Sequence, residues 1–254
     1  MNIICSLVIC FAMYSIIPMP LIQWTEEKRK YCFCFLPVVG VIIGAVWFLL
    51  YGLLQNFSIA FSAIILMLIS VVISGGIHFD GLLDTCDAMF SYGDKEKKLE
   101  ILKDPRTGAF GVIGTAVYLA LLFASYNELL ALDTKLYVFV PFSFVLSRAL
   151  ASFCMLTVQP AKKTGLGASF SNASNTKVNQ ITLVLWMVLV FVIFAVLNYI
   201  MAVIIAIAIT LFLAIYIRYI KRDFGGISGD LTGFIVMAVE LIIPFCVAIG
   251  GHFL

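Results

Sequence analysis

Three aspartates, Asp80, Asp84 and Asp87, stand four and three residues apart in the run Gly75-Gly76-Ile77-His78-Phe79-Asp80-Gly81-Leu82-Leu83-Asp84-Thr85-Cys86-Asp87, directly behind a long apolar segment. On a helix that spacing puts all three carboxylates on one face. Like charges converging at a membrane edge repel one another and resist desolvation, so the cluster is suited to a hard cation such as Mg²⁺. The plain alternative is a solvated helix end. Against it, Gly75 and Gly76 permit close backbone approach, and Phe79, Leu82, Leu83 and Met89 keep the surroundings apolar. Carboxylates placed at a membrane edge default to function.

The next segment, Asp94 to Asp104, alternates charged with apolar residues and reads as a short interfacial helix. It delivers Lys103-Asp104-Pro105-Arg106, followed by Thr107-Gly108-Ala109-Phe110-Gly111. A fourth carboxylate, two cations and a flexible backbone thus arrive together, and cations beside exposed amides suit phosphate oxygens. Two later polar islands repeat the pattern: Lys162-Lys163-Thr164-Gly165-Leu166-Gly167 and Gly225-Gly226-Ile227-Ser228-Gly229-Asp230. Taken singly, a glycine-rich loop is also a plain turn and a lysine pair also a topology signal. Together, on one face, they outline a polar pocket with Lys103, Arg106, Gly108, Lys162, Lys163, Gly165, Gly167, Gly226 and Asp230 as candidate substrate contacts.

His78 precedes the first aspartate by two residues and is either a general base or a hydrogen-bonding neighbour of the acidic site. His252, near the C-terminus, carries no signal. Arg148 and Glu240 fall well inside apolar stretches, where each would cost roughly 2.5–3.5 kcal/mol unless paired or facing water. They either form a structural ion pair or line the substrate cavity.

The elements that must position these residues are membrane helices. Of 254 residues, 63% are hydrophobic and only 12% are charged, against about 25% charged in soluble domains. The expected fold is therefore all-α, a polytopic transmembrane bundle forming one integral membrane domain over 1–254. Runs long enough to cross about 30 Å of hydrocarbon lie near 33–54, 57–76, 109–126, 136–157, 181–197, 201–218 and 232–254. The apolar start, 1–20, adds an eighth segment that either spans or re-enters at Pro18 and Pro20. It has no basic residue ahead of its apolar run and is followed by Glu26-Glu27-Lys28-Arg29-Lys30, which argues against a cleaved signal peptide.

Segments 28–30, 91–107, 159–180 and 218–222 hold fourteen of the sixteen Lys and Arg residues, whereas Lys135 stands alone on the opposite side. This asymmetry orients the acidic cluster and every large polar loop toward the cytoplasm, in the cell (inner) membrane. The seven cysteines are scattered without metal-ligand spacing and read as small core residues. A net charge of +2 gives no argument for nucleic acid.

The runs 75–87 and 99–111 (Leu-Glu-Ile-Leu-Lys-Asp-Pro-Arg-Thr-Gly-Ala-Phe-Gly) resemble the signature of the adenosylcobinamide-GDP ribazoletransferase, or cobalamin synthase, family. Ile17-Pro18-Met19-Pro20, Phe35 to Gly40 with Gly44, Gly165-Leu166-Gly167 and Gly225 to Asp230 are similar to further blocks of that family, in the same order. The resemblance implies a membrane enzyme that joins α-ribazole, or its 5′-phosphate, to adenosylcobinamide-GDP and releases GMP. It implies Mg²⁺ as cofactor, Asp80, Asp84, Asp87 and Asp104 as the acidic site, and Lys103 and Arg106 near the pyrophosphate. A homo-oligomer, or association with other nucleotide-loop assembly enzymes, is compatible with it. Ala88 stands where the family commonly has glycine, and Pro105 where serine is common. Both bear on backbone shape, since alanine resists positive φ and proline removes an amide donor.

Two other functions compete. Phospholipid synthases acting on CDP-linked alcohols also cluster aspartates at a membrane edge, but their run continues with an Ala-Arg pair, and here Asp87 is followed by Ala88-Met89-Phe90-Ser91. A transporter would place polar groups on broken helices near the midplane, whereas this chain gathers them on one side and shows no duplicated half.

Overall fold

The computed structural model describes residues 2–132, 135–161 and 177–253. Eleven α-helices are found there: α1 (Asn2–Tyr14), α2 (Glu26–Arg29), α3 (Cys32–Leu53), α4 (Ile59–Ile73), α5 (Ile77–Phe90), α6 (Lys95–Ile101), α7 (Ala109–Ala131), α8 (Phe139–Thr157, entered through a 3-10 turn, Lys135–Val138), α9 (Lys177–Leu197), α10 (Tyr199–Asp223) and α11 (Gly229–Gly250). No β-strand occurs among the described residues.

Among the described residues, six helices are long and apolar enough to cross a bilayer: α3, α7, α8 with its 3-10 turn, α9, α10 and α11. The predicted 57–76 segment instead ends early. α4 stops at Ile73, Gly75 and Gly76 take φ of 64° and 78°, and α5 leaves at 94° to α4. Only glycine enters that left-handed region without strain, so the pair at 75–76 makes the turn. Counting the bent pair as one crossing gives seven. With three carboxylates in fourteen residues, α5 is too polar to continue the hydrocarbon crossing and is read as lying at its end. α1 is 13 residues, about 20 Å, against about 30 Å of hydrocarbon.

The most buried helix is α8, which packs against α3, α9 and α11. Gly40 and Gly44 of α3 face the backbone oxygens of Phe144 and Pro141, so the two helices meet with little between them. By contrast α9 and α10 keep wide apolar faces exposed, as lipid-facing helices do. Four of the seven cysteines, Cys10, Cys32, Cys86 and Cys154, are buried, and all seven are unpaired thiols.

Within this core the two intramembrane charges meet each other. Arg148 Nη1 donates to Glu240 Oε1 at 2.6 Å, and both side chains are buried. The same oxygen accepts from Ser147 Oγ at 3.2 Å, while Arg148 Nη2 donates to Ser70 Oγ at 3.3 Å. Of the two roles open to them, the ion pair is the one present, tying α8 to α11 and α4.

Candidate active site

The acidic helix α5 is clamped between α11 and α7. Toward α11 the contact is glycine on glycine: a Cβ on Gly81 would stand 2.8 Å from the Asp230 carbonyl oxygen, and one on Gly233 would stand 3.4 Å from Gly81 Cα. This close approach brings Asp230, in the first turn of α11, to the face that carries Asp80 and Asp84. Ser228 caps α11 by accepting the Leu231 N–H.

Toward α7 the contact is made by Asp87, which is 5% exposed and has both oxygens occupied. The Gly108 N–H donates to Oδ2 at 2.5 Å and the Gly111 N–H to Oδ1 at 2.8 Å. Both amides belong to the opening turn of α7, which has no side-chain cap of its own. A carboxylate there satisfies orphan donors and the positive end of the helix dipole. Side chains at 108 or 111 would press into that carboxylate. Ala88, the departure from the family pattern, is helical and fully buried, so its position requires no positive φ.

The polar loop 103–106 divides. Lys103, in the turn after α6, reaches a cavity of about 360 Å³ at one end of the bundle. Asp104 and Arg106 close on each other: Arg106 Nε and Nη2 donate to Oδ1 and Oδ2 at 2.9 and 2.8 Å. That pairing holds the Asp104 carboxyl down to about 2, and neither residue lines the cavity. α6 itself is latched to α10, because Lys98 Nζ donates to Asp223 Oδ2 at 2.6 Å and to the Tyr219 hydroxyl at 3.2 Å.

The cavity has a charged mouth and an apolar floor. Exposed Asp80 and Lys103 mark the mouth with Asp230, while Tyr14, Phe33 and Met155 surround the floor with His78 and Ser152. His78 is buried and stacks on Tyr14 with ring centroids 5.8 Å apart. Burial, and then the charge of Arg148, hold it below its usual range, which favours the neutral ring. Gly226 stands outside the cavity with φ 153°, against the Gln159 backbone, where Ile227 N–H donates to the Gln159 oxygen at 2.9 Å. Lys162, Lys163, Gly165 and Gly167 lie outside the described residues.

Asp84 feels the other carboxylates. Burial, then the charges of Asp80, Asp230 and Asp87, push its carboxyl up to about 7. No three His, Cys, Asp or Glu side chains close on a single point as a finished metal cage among the described residues. The donor chemistry nevertheless fits Mg²⁺: hard oxygen ligands, mutually repelling, with Asp80, Asp84 and Asp230 free of cationic partners among the described residues. Asp87 and Asp104, also expected in that set, have their oxygens taken by amides and by Arg106.

Sequence reasoning passed over Ser152. The signal was faint: Ser143, Ser147 and Ser152 punctuate an otherwise apolar stretch, and polar groups in such helices face the bundle interior.

Fold and site together define a polytopic helical membrane protein with an acidic, lysine-fringed cavity at one end of its bundle. The chain belongs to the cobalamin-5-phosphate synthase family, whose model matches residues 6–248. It is similar to the adenosylcobinamide-GDP ribazoletransferase of Lachnoclostridium phytofermentans, 36% identical over 96% of this chain and 94% of the relative. Similar proteins of the same name occur in Clostridium botulinum, at 35% over 95% and 96% of the two chains, and in Treponema denticola, at 32% over 87% and 88%. No solved structure matches the chain. Membership places the chain in assembly of the cobalamin nucleotide loop.

Proposed function

We propose that the chain joins α-ribazole, or its 5′-phosphate, to adenosylcobinamide-GDP. A ribazole hydroxyl attacks the phosphorus nearer the cobinamide, a new P–O bond forms, and the bond from that phosphorus to the bridging oxygen breaks. GMP leaves with the bridging oxygen. The observation that carries this reading is the meeting of Asp80 and Asp230, from two helices, with Lys103 on one cavity.

Lys103 pairs with the pyrophosphate oxygens at the mouth. Asp80, Asp84 and Asp230 are the residues that would hold Mg²⁺, which would supply charge neutralisation for the pyrophosphate. Asp84, raised to about 7 when no cation is bound and ionised more readily beside one, is suited to take the proton of the attacking hydroxyl. Asp87 does not touch substrate; it fixes α5 against α7, which holds Asp80 on the cavity and Asp84 beside Asp80 and Asp230. The excess of lysine and arginine in the loops at this end supports a cytoplasmic orientation for it, in the cell membrane.

Membranes carrying the protein, incubated with Mg²⁺, α-ribazole and adenosylcobinamide-GDP, are expected to yield cobalamin and GMP in equal amounts. Release of GMP without cobalamin, or neither product, defeats the proposal.

A further inference from the structure

The floor of the cavity holds two polar atoms that meet no partner among the described residues. Ser152 Oγ and His78 Nδ1 are buried and have no hydrogen-bond partner among the described residues. Ser152 is the exception on its own helix. Ser143 returns its hydroxyl to the Val140 carbonyl at 2.6 Å, as serines in helices commonly do, and Ser147 has the Phe144 carbonyl and Glu240 Oε1 as acceptors, both at 3.2 Å. Leaving a buried hydroxyl unpaired is unfavourable unless something arriving in the cavity completes it.

The surroundings restrict what arrives. Tyr14, in parallel stack with His78, and Phe33 and Met155 make an aromatic and apolar wall. The cavity, about 360 Å³, suits a nucleoside and leaves a corrin-sized group outside its mouth. The charged groups all sit at that mouth, so the buried end selects for a flat apolar ring with few polar atoms.

Resting on the reaction proposed above, we infer that this floor is the seat of the nucleoside's base: a flat, largely apolar bicycle with one free ring nitrogen, as in the benzimidazole of α-ribazole. The ring lies along the Tyr14 and His78 wall. Ser152 Oγ–H donates to the ring nitrogen, and Ser152 is thereby a specificity-determining residue. The ribose then points to the mouth, where its hydroxyl meets the phosphate-binding groups.

The test uses the full-length protein in lipid nanodiscs with saturating adenosylcobinamide-GDP and two nucleosides. One is α-ribazole; the other is its indole analogue, in which the free ring nitrogen is replaced by C–H. The wild type is expected to favour α-ribazole in kcat/KM by about five- to tenfold, the effect of one neutral hydrogen bond. Ser152→Ala should bring the ratio close to one through loss on α-ribazole, and Ser152→Thr, which keeps the hydroxyl, should retain the preference. An unchanged melting temperature shows that a variant is folded. If the wild type makes cobalamin but treats the two nucleosides alike, or if Ser152→Ala keeps the preference, the base seat is wrong and the reaction stands. If the wild type releases no GMP with either, the reaction falls and the seat with it.

Discussion

The Asp87 carboxylate accepts the Gly111 N–H at 2.8 Å across 24 residues of sequence, and by this contact the acidic helix is fixed to the start of α7. The third aspartate of the run is thus a helix cap buried inside the bundle, two turns and about 10 Å along α5 from Asp80. Its place in the acidic site is taken by Asp230, delivered by the glycine contact between α5 and α11. Position and charge come from different carboxylates.

Asp87→Asn leaves one acceptor oxygen for two amides and removes the charge that favours the α7 terminus. It should lower stability by about 1–3 kcal/mol and turnover in parallel. Gly111→Ala, which forces a methyl into the same carboxylate, should do likewise. Asp84→Asn should abolish turnover with the melting temperature held or raised. Equal thermal stability of Asp87→Asn and the wild type would show that the cap is unimportant.

Glu240→Ala strands the Arg148 guanidinium in the core, where its remaining partners among the described residues are Ser70, Ser147 and the Phe144 carbonyl. Breaking one side of a buried pair costs about 3–5 kcal/mol, whereas replacing both with apolar groups of similar size is often neutral. Unfolding in mixed detergent micelles should therefore show Arg148→Met with Glu240→Leu to be more stable than Glu240→Ala. The reverse order would mean that the pair is not what holds α8 to α11.

Much of this was legible in the sequence. The apolar runs located six long helices to within a few residues, and helical spacing placed Asp80 and Asp84 on one face. What the spacing cannot reveal is which neighbour a side chain meets. Asp87 and Asp104 have the same residue type as Asp84, yet amides from α7 occupy the first and Arg106, two residues away, the second. The bend at 75–76 was written as two glycines, but its angle depends on how α5 packs between α7 and α11. Ser152 was hidden because an unpaired hydroxyl is a property of its surroundings.

Chelation should stop GMP release, and Mg²⁺ should restore it. Asp230→Asn, which removes a direct ligand, should raise the Mg²⁺ concentration for half-maximal rate by at least about 10–100-fold, the loss seen when a group that merely supports a ligand is removed. Asp104→Asn, whose carboxylate is engaged by Arg106, should leave that concentration where it is. A shift in Asp104→Asn with none in Asp230→Asn would put Asp104 of the 103–106 loop in place of Asp230 as the third ligand.

The pH dependence follows from Asp84, whose carboxyl is raised from the usual carboxylate range to about 7 by burial and by Asp80, Asp230 and Asp87. A raised carboxyl means that the folded chain binds this proton more tightly than the unfolded one. Its contribution to stability therefore declines as pH climbs from about 4 to about 7 and is constant beyond. Activity runs the other way, because a proton acceptor works only when ionised: kcat/KM should increase through an acid limb near 7 at low Mg²⁺. A bound cation favours the carboxylate, so raising Mg²⁺ should move that limb to lower pH. A limb that stays in place as Mg²⁺ rises would separate Asp84 from the metal, and a profile unchanged in Asp84→Asn would remove it from the reaction.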